Sequence, residues 1–150
     1  MKLIKILLLF PFIITVACST LTLKPTNFAW PVEEVLKIND DGRVTEDRYA
    51  IEFNTKGIFY EELNDSSAYK NKELRIIRNM NGCYFITSEQ FKNVYVFEAD
   101  DGALVLENKI QVSETGLKNP ALNQREPYVE LIDGTEKLLL TNDGIYRTEK

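Results

Sequence analysis

Short runs in which hydrophobic and polar residues alternate recur along most of the chain. The clearest is 48–54, where Tyr49, Ile51 and Phe53 alternate with polar neighbours. A period of two residues is typical of a half-buried β-strand. No stretch beyond the N-terminal leader shows the long three-to-four-residue apolar period of an amphipathic helix. The pattern therefore predicts strands.

Turn-forming residues separate these runs. Asn81-Gly82 predicts a hairpin with a type I′ turn, because both residues tolerate the positive φ that this turn requires. Asp100-Asp101-Gly102 predicts a second hairpin by the same reasoning. The predicted strands are 32–38, 48–54, 58–63, 73–79, 83–87, 94–98, 103–112, 128–132, 136–141 and 144–147. Residues 113–127, with Gly116, Pro120 and Pro127, are predicted to form the longest loop.

Short strands joined by turns indicate an all-β domain. We expect a single small antiparallel meander of about 8–10 strands, arranged as a barrel or a sandwich. The chain has 150 residues, which is the size of one domain once a leader is removed.

The first residues have the pattern of a secretory signal peptide. Lys2 and Lys5 precede a twelve-residue, mostly apolar run from Ile6 to Ala17. This run is shorter than the roughly 20 residues that span a bilayer as a helix, and Pro11 interrupts it. A basic end, a short apolar segment and small residues at its exit predict a signal peptide at residues 1–17.

The exit of this leader, Thr15-Val16-Ala17-Cys18, resembles the lipobox of bacterial lipoproteins. The family most often has Leu at the position of Thr15. The resemblance implies that Cys18 becomes the mature N-terminus and carries a thioether-linked diacylglycerol, with an amide-linked acyl chain. Several acyl chains make an anchor that does not readily leave the membrane. The alternative is ordinary cleavage after Ala17, which would release a soluble protein.

The same resemblance places the protein in the bacterial cell envelope. In lipoproteins of enteric bacteria an Asp after the cysteine favours the inner membrane. Ser19 therefore favours the outer membrane, with the domain facing the periplasm or the exterior. Residues 18–29 are polar and Thr-rich and predict a lipidated tether, and residues 30–150 are the predicted β domain.

The charge balance argues against nucleic acid as a partner. The chain carries 18 basic and 23 acidic side chains, a net charge of −5. Loss of Lys2 and Lys5 with the leader makes the mature chain more acidic still. Nucleic-acid affinity depends on neutralising phosphates, which an acidic domain does not do. The expected partners are the membrane, through the acyl chains on Cys18, and a protein of the envelope.

The chain contains no histidine, which removes several kinds of catalytic and metal site. Ser-His-Asp and Cys-His catalysis and histidine-ligated zinc are excluded. Once Cys18 is acylated, Cys83 is the only thiol, so neither a disulfide nor a cysteine zinc site can form. An EF-hand also fails, because Lys37 and Phe97 stand where its first carboxylate is required. We expect no enzyme activity, no cofactor and no metal.

The best candidates for a binding surface are consecutive aromatic residues. Because neighbours on a strand point to opposite faces, one ring of each pair is expected to face outward. The candidate binding residues are Phe59, Tyr60, Tyr84 and Phe85.

Three functional hypotheses remain. The first is a non-catalytic binding or interaction module, either a partner in an envelope complex or an inhibitor of a host or rival enzyme. The second is a carrier of a small apolar ligand inside a β-barrel, which requires a large apolar cavity. The third is a hydrolase in which two carboxylates from distant strands meet in one cleft.

Overall fold

A computed structural model describes residues 32–48 and 50–147 of the chain. These residues form eleven β-strands and one helix, which confirms the all-β prediction. In chain order the elements are β1 (Glu34–Lys37), β2 (Arg43–Glu46), β3 (Ile51–Asn54), α1 (Lys56–Leu63), β4 (Glu73–Arg78), β5 (Tyr84–Ser88), β6 (Asn93–Asp100), β7 (Ala103–Gln111), β8 (Pro120–Arg125), β9 (Tyr128–Asp133), β10 (Glu136–Thr141) and β11 (Gly144–Ile145).

The strands are arranged in three layers. The central sheet has the order β1-β4-β5-β6-β7, and the back sheet has the order β11-β10-β9-β8. The β2–β3 hairpin and α1 form the front layer. All strand pairs are antiparallel. Strands β4 to β7 and β8 to β11 are both meanders, and in the described residues the sheets do not close into a barrel.

One face of the central sheet packs against the back sheet. Because side chains alternate along a strand, successive residues of each central strand point to opposite faces of the sheet, and two separate cores result. The central sheet contributes Ile77 and Phe85 to this back core, which meet Leu122 and Leu131 of the back sheet. The remaining buried members are Cys83, Val94, Val96, Ile110, Leu117, Val129 and Leu140.

The other face of the central sheet packs against the front layer. Ile76, Ile86 and Tyr95 of the central sheet meet Val44 of β2 and Phe59 of α1. The remaining buried members of this front core are Leu36, Tyr69, Leu74, Tyr84 and Phe91.

Strand β5 lies between both cores, and all five of its residues are buried. A strand that is covered on both faces has a nearly continuous hydrophobic sequence in place of alternation. Tyr84 and Phe85 are 4% and 0% exposed, so the expectation that one of these rings faces outward is wrong.

Residues 58–63 were expected to form a strand, but they belong to helix α1. Ile58, Phe59, Glu62 and Leu63 point inward, at the four-residue spacing of one helix face. Asn64 ends the helix in the left-handed conformation, and its N–H donates to the carbonyl of Tyr60 at 2.8 Å. Asn tolerates this conformation better than most residues.

The predicted loop 113–127 is also partly wrong, because β8 occupies Pro120–Arg125. Leu122 is the one large hydrophobic residue of this strand, which left the sequence without an alternating pattern. The shorter loop that remains is fixed to the β5–β6 turn. Gln90 donates to the carbonyl of Leu117 at 2.7 Å, and Leu117 donates to that of Phe91 at 2.8 Å.

The hairpin predicted at Asn81-Gly82 is present, since β4 and β5 pair on either side of it. Its turn differs from the predicted type I′. Gly82 has a φ of 91°, whereas Asn81 keeps a negative φ. The N–H of Gly82 donates to the carbonyl of Asn79 at 3.1 Å. This is the longer hairpin connection in which a type I turn is followed by a glycine bulge.

Candidate functional site

An apolar groove of about 360 Å³ lies between the front layer and the central sheet. Ile86, Tyr95, Phe97, Leu104 and Leu106 form its floor, where β5, β6 and β7 lie side by side. The end of β3 and one side of α1 form its wall, with residues Phe53, Asn54, Gly57, Ile58 and Glu61. Its volume lies in the range of small-molecule sites, which are mostly apolar with few polar groups.

Helix α1 positions the wall of the groove. Its N-terminus is fixed by Thr55, whose hydroxyl donates to the carbonyl of Gly42 at 2.9 Å, and by Asn54, whose side chain accepts the N–H of Lys56 at 2.9 Å. The helix presents Gly57 and Ile58 to the groove. A Cβ atom at Gly57 would meet nothing within 4 Å, so the groove is open at this position.

The other end of the helix is held by Glu62. Its carboxylate accepts three hydrogen bonds from β6 and the residue before it: the N–H of Lys92 at 2.7 Å, the side-chain amide of Asn93 at 2.5 Å and the hydroxyl of Tyr95 at 2.7 Å. Burial raises the pKa of Tyr95, and the hydrogen bond to Glu62 raises it further. The phenol therefore stays a neutral donor, and the wall is tied to the floor.

A charged pair marks the rim of the groove. Lys109 on β7 contacts Glu61 on α1 at 2.8 Å. The same ammonium lies 5.4 Å from the centroid of the Tyr95 ring. Among the described residues that line the groove, Glu61 is the one carboxylate, and Lys109 neutralises its charge. The arrangement offers a ligand an apolar interior and one polar edge.

The four predicted binding residues differ in their exposure to solvent. Tyr60 is 58% exposed on the outer side of α1, whereas Phe59 is fully buried beneath it. Tyr84 and Phe85 are inside the two cores. None of the four lines the groove.

The residues that do line the groove come from segments far apart in sequence. Leu104 and Leu106 were recognised only as members of a strand. The available signal was that three consecutive apolar residues, Leu104, Val105 and Leu106, stand where a half-buried strand would alternate. Val105 and Leu106 are 49% and 46% exposed, so these two residues of the run are not covered by the core.

A second group of polar side chains surrounds Cys83. The thiol donates to Glu107 at 3.4 Å and accepts from the side-chain amide of Asn142 at 3.0 Å. Burial raises the pKa of Cys83, and the contact with Glu107 raises it further. A raised pKa keeps the thiol protonated and unreactive. Cys83 is thus a buried structural residue.

In the described part of the chain, no three His, Cys, Asp or Glu side chains are grouped so as to hold a metal ion. The described residues also contain no helix of the length and apolarity needed to cross a bilayer. The predicted signal peptide at 1–17, Cys18 and the tether at 18–29 lie outside the described residues.

Comparison with protein-family models, with curated proteins and with solved structures finds no match for this chain.

Proposed function

We propose that this protein is a lipid-anchored lipoprotein of the bacterial envelope, whose β domain is a non-catalytic binding module. The ligand inserts an apolar group into the groove between α1 and the central sheet. The observation that carries this proposal is the groove itself, an apolar space of about 360 Å³ with the ion pair of Glu61 and Lys109 at its rim.

The evidence for the lipid anchor is the sequence of the leader. Thr15-Val16-Ala17-Cys18 follows a basic end and a short apolar run. The net charge of −5 leaves little electrostatic attraction to anionic lipid, so acyl chains on Cys18 supply the attachment. Ser19 favours the outer membrane.

The chemistry of the groove supports binding over catalysis. A carboxylate hydrolase needs two acids facing each other across a cleft. In the part of the chain that the structure describes, the one acid of the groove lining is Glu61, which is paired with Lys109. An apolar group in the groove would contact Ile58 on the helix and Phe97 on the sheet, which both line it. The site differs from the barrel interior expected for an apolar-ligand carrier, since it is a surface groove beside a helix.

The anchor is tested by mass spectrometry of the mature N-terminus after expression with the leader. We expect Cys18 to carry a diacylglycerol thioether and the protein to fractionate with membranes. Cys18→Ser should abolish both the modification and the membrane association. An unmodified Cys18 on the wild-type protein would refute the anchor and leave the groove unaffected.

The groove is tested with a neutral apolar fluorophore, N-phenyl-1-naphthylamine, titrated into the mature protein. We expect saturable binding that Gly57→Leu weakens about tenfold, because the new side chain enters open space in the groove. Gly57→Ala is the matched control, since it adds only a Cβ atom at the same helix position. Equal binding by the wild type and Gly57→Leu would contradict the proposal.

A further inference from the structure

The end of the β6–β7 hairpin projects beyond the layers that cover the rest of the central sheet. Beyond Phe97 the remaining β6 residues are all exposed, and most residues of the facing part of β7 are exposed as well. Asp101 and Gly102 form its tip, with φ values of 44° and 81°. Both central residues have positive φ, as in the type I′ turn that matches strand twist. The projecting part is therefore a regular two-stranded ribbon.

Among the described strands, none pairs with the outer edge of this ribbon. β7 is the last strand of the central sheet, and in the described residues it pairs with β6 alone. Its C-terminal half is covered, because the side chain of Asn108 donates to the carbonyl of Asn142 at 2.8 Å. A bulge in the register separates this covered half from Ala103–Glu107. The uncovered half is thus a short, free edge.

The backbone groups of this free edge can be assigned from the ladder. Asp100 pairs with Ala103 across the turn, so Ala103 and Val105 direct their N–H and C=O groups towards β6. Leu104 and Leu106 then direct theirs outward. An unpaired row of such groups is a template for a further strand.

The two faces of the ribbon differ in chemistry. On the face of the groove, Leu104 and Leu106 lie beside Phe97. On the opposite face, Glu98, Asp100 and Glu107 surround Val105 in a depression of about 390 Å³. A strand added at this edge would alternate its own side chains between an apolar face and an acidic face.

The charge of the ribbon indicates which kind of strand could pair with its free edge. Between Lys92 and Lys109 the chain has four acids, Glu98, Asp100, Asp101 and Glu107, and no base. A second copy at this edge would bring two such sets of acids together, and like charges placed opposite each other are destabilising. A basic segment would be attracted and correctly oriented.

We propose that the free edge of β7, residues 103–107, binds an extended segment of a partner protein in which Lys or Arg alternates with apolar residues. The added strand pairs with Leu104 and Leu106, its apolar side chains lie beside theirs, and its basic side chains enter the acidic depression around Val105.

The test uses the mature protein and a fluorescein-labelled eight-residue peptide that alternates Lys and Val. We expect saturable binding by fluorescence anisotropy that weakens as salt is added, because the charges lie near the surface. A peptide that alternates Glu and Val should not bind. Binding of both peptides with equal affinity would overturn the proposal, as would binding of neither.

Leu104→Pro examines the edge itself. The N–H of Leu104 points outward, so a proline here removes no ladder bond but blocks strand addition. We expect about tenfold weaker binding of the Lys-Val peptide, whereas Leu104→Val, which also shortens the side chain but keeps the N–H, should weaken binding much less. Unchanged binding by a folded Leu104→Pro protein would contradict the edge model.

A variant with Glu98→Gln and Glu107→Gln keeps the edge intact and examines the charges independently. We expect weaker peptide binding with a reduced salt dependence, and unchanged binding would contradict the proposal. Sedimentation of the protein alone tests the remaining alternative, in which a second copy of the chain occupies the edge. A dimer that Leu104→Pro dissociates would show that a second copy occupies the edge, against the proposal.

Discussion

The carboxylate of Glu62 on helix α1 accepts a hydrogen bond from the hydroxyl of Tyr95 on strand β6, with 2.7 Å between the two oxygens. The bond joins the wall of the apolar groove to its floor, because Tyr95 lies in the floor and α1 forms the wall. The Tyr95 ring is 1% exposed and stacks on Phe97 with 6.4 Å between centroids. The Glu62–Tyr95 bond therefore helps to set the width of the groove.

Glu62→Ala should destabilise the protein by about 3 kcal/mol, because three hydrogen bonds are lost and the buried Tyr95 hydroxyl keeps no acceptor. Tyr95→Phe removes one of these bonds and should cost about 1 kcal/mol. Urea unfolding of both variants measures these values. Equal losses in the two variants would contradict the assignment of three bonds to Glu62.

Stability should decrease in alkaline solution because of Tyr95. Burial and the neighbouring Glu62 raise its pKa in the folded protein, whereas an unfolded tyrosine titrates near pH 10. The unfolded state then loses this proton first, so the contribution is complete below about pH 10 and is lost as the pH rises above it. Tyr95→Phe should show a shallower decline than the wild type in urea unfolding between neutral and strongly alkaline pH. Parallel declines would show that the decline has another source.

The fold class was predictable because strands and turns have short-range sequence patterns. Alternation at Ile51 and Phe53 and the turn glycines at 82 and 102 all depend on neighbouring residues. The all-β prediction is based on these patterns. The hairpins around Gly82 and Gly102 are also where the sequence placed them.

The helix and the groove were not predictable in the same way. An eight-residue helix contains too few turns for its period to be distinguished from a strand that carries adjacent aromatics. The spacing of Phe59 and Leu63, followed by Asn64, was the available sign. Both faces of β5 are covered only because two separate layers form around it, which no local pattern encodes.

Gly116 should tolerate no side chain. Its φ is +98°, and a Cβ atom there would lie 2.6 Å from the carbonyl oxygen of Gln90. Gly116→Ala should therefore cost at least about 2 kcal/mol, from the backbone conformation and the clash together. Gly102→Ala is the matched control, since its φ is +81° but its Cβ would meet nothing within 4 Å. Thermal unfolding that shows equal losses for the two would contradict the close approach to Gln90.

Cys83 should react slowly with alkylating reagents. Its thiol is 5% exposed, and burial and Glu107 raise its pKa, so little thiolate is present. In the Cys18→Ser protein, where Cys83 is the one thiol, iodoacetamide should react at least about tenfold more slowly in buffer than in concentrated urea. Mass spectrometry of timed samples follows the reaction. Similar rates in both solutions would show that the site around Asn142 opens freely.

The location of the bound group is the central claim, and methyl NMR tests it most directly. The mature protein, labelled at Ile and Leu methyl groups, is titrated with N-phenyl-1-naphthylamine. We predict shifts and probe contacts at Ile58, Leu104 and Leu106, which line the groove. Leu122, Leu131 and Leu140 of the back core are the internal control and should not change. Probe contacts at the back-core methyls, with none at the groove, would contradict the account.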